Sequence, residues 1–155
     1  MSPRDLVGHT IREAPLLRAD QSVAEAASAV VESDLPALPV VDEAEKLVGI
    51  FGEREFIGAL FPGWLGEIKS AAFVPDTIDD AIERRLECRQ DPVEKYTNTE
   101  HVAAGPNHSD VQLAQTFLHH RVLLIPVVDE DQHVRGVVTR ADFFAALVQR
   151  SGERA

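Results

Sequence analysis

Pro39-Val-Val-Asp-Glu43 and Pro126-Val-Val-Asp-Glu130 are the same five residues, the second copy beginning at 126 where the first begins at 39, an offset of 87. Carried outward without gaps, that offset aligns residues 10–60 with 97–147 and adds Thr10/Thr97, Glu13/Glu100, Ser22/Ser109, Ala27/Ala114, Gly49/Gly136, Phe56/Phe143, Ala59/Ala146 and Leu60/Leu147. Thirteen of 51 positions are identical, where average residue usage gives roughly three. Unlike pairs stay alike in character, as in Val30/Phe117, Leu38/Ile125 and Ile50/Val137. The chain is an internal duplication, and the fold has to be read as two copies of one unit.

Each copy spells the same order of elements. An extended piece at Leu16-Leu17 or Ala103-Ala104 comes first. Ser22-Val-Ala-Glu25 and Ser109-Asp-Val-Gln112 then carry the S-x-x-E/Q pattern of a helix start, in which side chains satisfy the first unpaired amides. The following helix is expected to bury Val23, Ala26, Ala27 and Val30 in one copy and Val111, Ala114, Phe117 and Leu118 in the other. Two short apolar strands follow, 37–41 and 47–51, or 124–128 and 134–138, joined by polar turns. A closing helix carries Phe56, Ile57 and Leu60, or Phe143, Phe144 and Leu147. Fifty such residues bury too little surface to be stable alone, so the copies are expected to pack on one another. The expected fold is mixed α/β (α+β), two tandem β-α-β-β-α units related by a pseudo-two-fold axis, with boundaries at 10–60 and 97–150. The connection, 61–96, contains Phe61, Trp64, Leu65 and Phe73 and is read as docked, with a helix over 77–89 capped by Thr77-Ile-Asp-Asp80 and facing inward through Ile78, Ile82 and Leu86.

Composition bounds the function. At 45% hydrophobic and 26% charged residues the chain is globular, and 15 Lys+Arg against 26 Asp+Glu leave a net charge of −11. That field repels phosphate backbones and anionic lipid, so neither nucleic acid nor a membrane surface is expected as partner. Cys88 is the single cysteine, which excludes an internal disulfide and a cysteine-built zinc site. No apolar run is long enough to span a bilayer, and Met1 to Arg12 lacks the apolar block of a signal peptide. A cytoplasmic location is expected. The histidines, His9, His101, His108, His119, His120 and His133, include no i, i+4 pair of a helix-borne metal site. His119-His120-Arg121 reads as positive charge at a helix end, with His120 or Arg121 near a ligand phosphate as the alternative. No G-x-S-x-G surrounds a serine, Cys88 has no partner base, and Pro62-Gly-Trp-Leu-Gly66 is not a phosphate loop, so no enzyme is expected. Asp42-Glu43 and Asp129-Glu130 are ordinary turn carboxylates.

The helix, the P-V-V-D run, the turn, the Gly136-Val-Val-Thr139-Arg-Ala-Asp142 stretch and the final helix together resemble the CBS domain, named after cystathionine β-synthase, and two in tandem resemble a Bateman module. The resemblance covers 10–60 and 97–150. It implies a stand-alone regulatory protein that senses an adenosine-containing ligand (AMP, ADP or ATP) between the repeats, requires no cofactor, forms a homodimer and acts on a further protein. The alternatives are a dimerisation module without a ligand and a sensor of S-adenosylmethionine. By resemblance, Asp142 accepts from ribose hydroxyls and Thr139 donates to a phosphate beside Arg140; Thr139-x-x-Asp142 is equally a helix-capping pattern, and the two roles are compatible. The facing wall would come from Thr10, Ala14, Pro15, Leu35, Pro36 and Ala37. In the first copy the stretch is Gly49-Ile-Phe-Gly52-Glu-Arg-Glu55: glycine stands for the threonine, glutamate for the aspartate, with Glu53 adding a second acid. The opposite cleft, built from these residues with Thr97, His101, Val102 and Val122-Leu123-Leu124, is expected to be the poorer one.

Overall fold

The PVVDE runs carry an aspartate in fourth place because a tight turn follows them. In the computed structural model, which describes residues 10–61, 83, 86–100 and 103–153, Asp42 Oδ1 accepts from the backbone N–H groups of Ala44 (2.9 Å) and Lys46 (3.0 Å). Asp129 Oδ1 does the same for Asp131 (2.9 Å) and His133 (3.0 Å). Each carboxylate thereby holds its turn through a left-handed residue, Glu45 at φ 63 or Gln132 at φ 68.

Around these turns the first unit consists of β1 (Leu17–Arg18), α1 (Val23–Ser33), β2 (Ala37–Val41), β3 (Leu47–Gly52) and α2 (Glu53–Leu60). The second has α3 (Asp110–His120), β4 (Leu124–Val128), β5 (Val134–Thr139) and α4 (Arg140–Glu153). β1 runs parallel to β2 and β2 antiparallel to β3; β4 and β5 repeat the antiparallel pair, including a register shift at Val127/Val128 that matches the one at Val40/Val41. The counterpart of β1 shrinks to a single parallel bridge, Ala104 to Val127. This is the expected mixed α/β duplication.

What joins the units is an exchange of backbone. Arg12, before the first unit's strands, bonds Val137 of β5 in both directions at 2.9 Å; Asn98, before the second unit's strands, bonds Ile50 of β3 at 2.8 and 3.1 Å. Both crossings pass over a glycine. A Cβ on Gly49 would lie 2.3 Å from the Asn98 carbonyl oxygen, and one on Gly136 would lie 2.6 Å from that of Arg12. Lys46 bridges His133, its own counterpart, as a two-fold relation requires of residues on the axis. The core is shared accordingly: Leu124 and Val137 of the second unit pack with Leu38, Phe51 and Val23 of the first.

Three details depart from the sequence reading. In α3 the buried residues are Leu113, Thr116 and Phe117, while Val111 and Leu118 are exposed. The duplication explains this, since the offset carries the buried Ala26 and Val30 onto Leu113 and Phe117. In α4 and α2, Phe143 and Leu60 are buried but Phe144 and Ile57 face out. Of the helix expected over 77–89, Leu86–Gln90 forms a 3₁₀ turn, with Leu86 exposed and Cys88 buried against Ala59 and Leu60. Pro92 lies two residues beyond Gln90 and disfavours helix there. The cap at Thr77–Asp80, Ile78, Ile82, Trp64, Leu65 and Phe73 lie outside the described residues. The connection's last stretch is docked as expected: Val93 donates to Gln21 O at 2.7 Å, Glu94 to Ala19 O at 3.0 Å, and the Val93 side chain is fully buried in the first unit's core.

Candidate functional site

Two clefts flank the pseudo-two-fold axis, and Pro36 and its counterpart Leu123 line both. The first begins where β5 turns into α4. Arg140 N–H donates to Leu123 O at 2.9 Å, just as Glu53 N–H donates to Pro36 O at 3.0 Å in the other half. Thr139 Oγ1 accepts from Asp142 N–H at 3.0 Å, so the threonine caps α4. The Asp142 carboxylate takes no part in that cap. It is held by Arg12, whose Nε and Nη2 donate to Oδ2 and Oδ1 at 2.8 and 2.7 Å in a bidentate pair across the repeats.

The resulting cleft has a volume of about 540 Å³, within the range of small-molecule sites. Thr139, Arg140 and Asp142 form its polar end, and Leu35, Pro36, Leu123 and Phe144 supply apolar walls. Five of the nine residues singled out from sequence thus come together: Leu35, Pro36, Thr139, Arg140 and Asp142. Ala37 lines the opposite cleft instead. Thr10 is buried, Ala14 packs on the first unit's core and Pro15 is exposed, all three outside the lining of either cleft. Sequence reasoning missed Arg12, Asp34 and Phe144. Arg12 had one available signal: the offset pairs it with Thr99, so a cation unique to one copy faces the aspartate unique to the other.

The opposite cleft is smaller, about 160 Å³, and is lined by Glu53, Arg54, Glu55, Asn98, Arg121 and Val122 to Leu124 among others. Thr97 and Gly52 do not line it, and His101 and Val102 lie outside the described residues. Gly52 is where the first copy lacks a hydroxyl, and the packing shows why: a Cβ there would sit 2.2 Å from the Pro36 carbonyl oxygen. The two acids expected to repel a phosphate are accompanied by Arg54 and Arg121, so charge distinguishes the clefts less than the sequence suggested. Size and the missing hydroxyl distinguish them more.

Glu55 sits half-buried at the start of α2, and desolvation raises its carboxyl above the ordinary glutamate range, opposed by the amides of Glu55 and Gly52 and by Arg54. A raised acid binds more protons folded than unfolded, so its contribution to stability falls as pH rises from the ordinary glutamate range through the raised value. Glu55→Gln is therefore expected to gain stability over the parent as pH increases from about 4.5 to 7, measured as the difference between their urea midpoints. A difference independent of pH would refute this.

His119 and His120 close α3, and Arg121, its left-handed C-cap, also lines the opposite cleft. Asp129, Asp131 and His133 approach one another at the second turn. Desolvation works against the Asp129 carboxylate, but the turn amides of His133 and Asp131, with His133 and Arg135, hold it below the ordinary aspartate range. Among the described residues, no helix is long and apolar enough to cross a membrane.

A duplicated α/β module with exchanged backbone and a composite cleft on each side of its axis is a recognisable class. The chain belongs to the CBS-domain family: the model described as "CBS domain" matches residues 4–62 and 93–149. Among solved structures, CBSX2 in complex with AMP superposes with a TM-score of 0.69 at 20% identity, covering 94% of this chain and 97% of that one. A CBS domain-containing protein from Bacillus anthracis gives 0.72 at 18% identity, covering 93% of each. The CBS domain of a CBS domain-containing membrane protein from Sphaerobacter thermophilus gives 0.66 at 26%, covering 91% of this chain and 86% of that one. No curated protein matches.

Proposed function

We propose that this CBS pair is a non-catalytic regulatory module that takes an adenosine nucleotide, AMP, ADP or ATP, in the cleft ending at Thr139, Arg140 and Asp142. The observation that carries the reading is the convergence of an acceptor-only carboxylate, a hydroxyl and a guanidinium on the first turn of α4, opposite the apolar wall of Leu35 and Pro36. A carboxylate matches vicinal ribose hydroxyls, and the helix start with Arg140 suits a phosphate in a protein otherwise repelling anions. The AMP bound to CBSX2, a structure of the same fold, supports the choice of ligand class. The larger cleft is the one to fill, giving one nucleotide per chain.

The module acts as a homodimer on this reading. Val31 and its counterpart Leu118 are 77% and 80% exposed, and Ile57 and its counterpart Phe144 are 56% and 66% exposed. The pseudo-two-fold thus sets paired apolar residues on the outer helices, where a second copy of the chain would cover them. A ligand-free dimerisation module is the second reading, favoured by the Arg12 guanidinium already seated on Asp142.

Titration calorimetry with AMP, ADP, ATP and S-adenosylmethionine, with light scattering on the same sample, tests both parts. One adenine nucleotide per chain, with a gain of about 2.7 kcal/mol in stability at 100 times its Kd, is the expected result. Two equal sites per chain, or a preference for S-adenosylmethionine, would overturn the ligand assignment. A mass of only 17.0 kDa would overturn the dimer.

A further inference from the structure

We infer that Arg12 is a specificity-determining residue that makes the cleft select phosphate-bearing ligands over the bare nucleoside, by occupying Asp142 until a phosphate releases it. The inference deepens the reading of this cleft as a nucleotide site and rests on it.

The Asp142 carboxylate is not an open acceptor. Two charge-assisted hydrogen bonds at 2.7 and 2.8 Å join it to the Arg12 fork. A ribose that uses those oxygens has to displace the guanidinium. The displacement is feasible because the pair is accessible to water, the Arg12 side chain being half exposed, and exposed ion pairs are weak. It is also local. The Arg12 backbone is fixed to Val137 by two bonds of 2.9 Å, so the side chain can swing while its anchor stays in the β5 pairing.

Where the displaced guanidinium goes decides the selectivity. Adenosine offers it no anion, so binding adenosine exchanges an ion pair for ribose hydrogen bonds and leaves a cation without its partner. AMP brings a dianionic phosphate into the cleft that Arg12 and Arg140 line, and a guanidinium suits phosphate as well as carboxylate. Release from Asp142 and capture by phosphate then offset one another. Among the described residues, Arg140 shows no ion-pair partner, so both cations can turn to the same anion. Among the described residues the second cleft shows no equivalent device: Arg12 corresponds to Thr99, and Arg121, which lines that cleft from the other repeat, makes no ion pair with Glu55.

Calorimetry of adenosine and AMP against the parent, Arg12→Gln and Arg12→Lys tests this, with circular dichroism melts establishing that each variant is folded. Arg12→Gln should bind adenosine roughly three- to fivefold tighter than the parent and AMP no tighter, so that the preference for AMP shrinks. Arg12→Lys, which keeps the charge and loses the fork, should lie between them. Raising potassium chloride from 50 to 500 mM should improve adenosine binding to the parent and not to Arg12→Gln. Should Arg12→Gln leave both affinities unchanged, weaken both equally or tighten both equally, the selection by Arg12 is refuted while the nucleotide site stands. Should no protein bind either ligand, the site itself is refuted and the selection with it. If Arg12→Gln does not fold, Arg12→Lys carries the same comparison, and an unchanged adenosine-to-AMP ratio in it refutes the proposal.

Discussion

Gly49→Ala is expected to destabilise the protein by about 3 kcal/mol or more, although it adds a single methyl group. The new Cβ would stand 2.3 Å from the Asn98 carbonyl oxygen and 2.7 Å from a Thr97 methyl. The nearer obstacle is backbone, which cannot rotate away as a long side chain does, and overpacking of this kind typically costs 1–3 kcal/mol even where side chains relax (about 3 is the upper end of that range). Moving Asn98 aside would also break the paired bonds of 2.8 and 3.1 Å to Ile50. Gly58→Ala is the internal control. It lies within α2 with nothing within 4 Å of the added atom, so it should stabilise by roughly 0.5–1 kcal/mol through helix propensity. Urea denaturation of the two variants decides it: equal and small changes would show that the exchanged backbone contributes little.

Asp142→Asn is expected to lower nucleotide affinity roughly 10- to 150-fold, equivalent to about 1.5–3 kcal/mol, while leaving the fold in place. The structure separates the two roles that the sequence could not. Thr139 provides the cap and Asp142 contributes only its backbone N–H to it, so the substitution leaves the start of α4 intact. What it removes is the negative charge that Arg12 holds in the free protein and that, on the proposed reading, the ribose takes over. The lost pair with Arg12 is water-accessible and should cost no more than about 1 kcal/mol of stability. Calorimetry with AMP beside urea melts tests this. Unchanged affinity with a large loss of stability would assign Asp142 to structure alone.

Much of this fold is legible in the chain because duplication lets each copy check the other. The paired strands 37–41 with 47–52 and 124–128 with 134–139, the turn aspartates and the serine caps all recur at the fixed offset, while the strand before the first helix is kept in full in the first copy alone. In α3 the periodicity of one copy alone misleads: Val111 and Leu118 suit an apolar stripe, but Leu113 and Phe117 are the counterparts of buried residues. The site was legible on the side that follows a local pattern, Thr139 to Asp142, and on the wall at Leu35-Pro36. It was not legible where it depends on which segment crosses to which sheet. Arg12 reaches Asp142 because its backbone is stitched into β5, 130 residues along the chain from its partner. No local pattern reports such a pairing. Thr10, Ala14 and Pro15 belong to that same stretch, but the crossing presents Arg12 to the cleft instead.

The crossing also has a bearing on how the protein is made. During synthesis the first repeat leaves the ribosome before the residues that complete it. Val93, fully buried in its core, emerges only with the last stretch of the connection, and Asn98, which borders its sheet, just after it. The second repeat in turn waits for nothing later than its own α4, since Arg12 has long been available to β5. The nascent chain therefore holds an unfinished first half until translation has passed Asn98, and the shared core is complete only when Leu124 and Val137 of the second repeat have followed. Pausing within the connection would prolong exposure of that open sheet edge, the stage at which chaperone binding or mispairing between neighbouring chains is favoured.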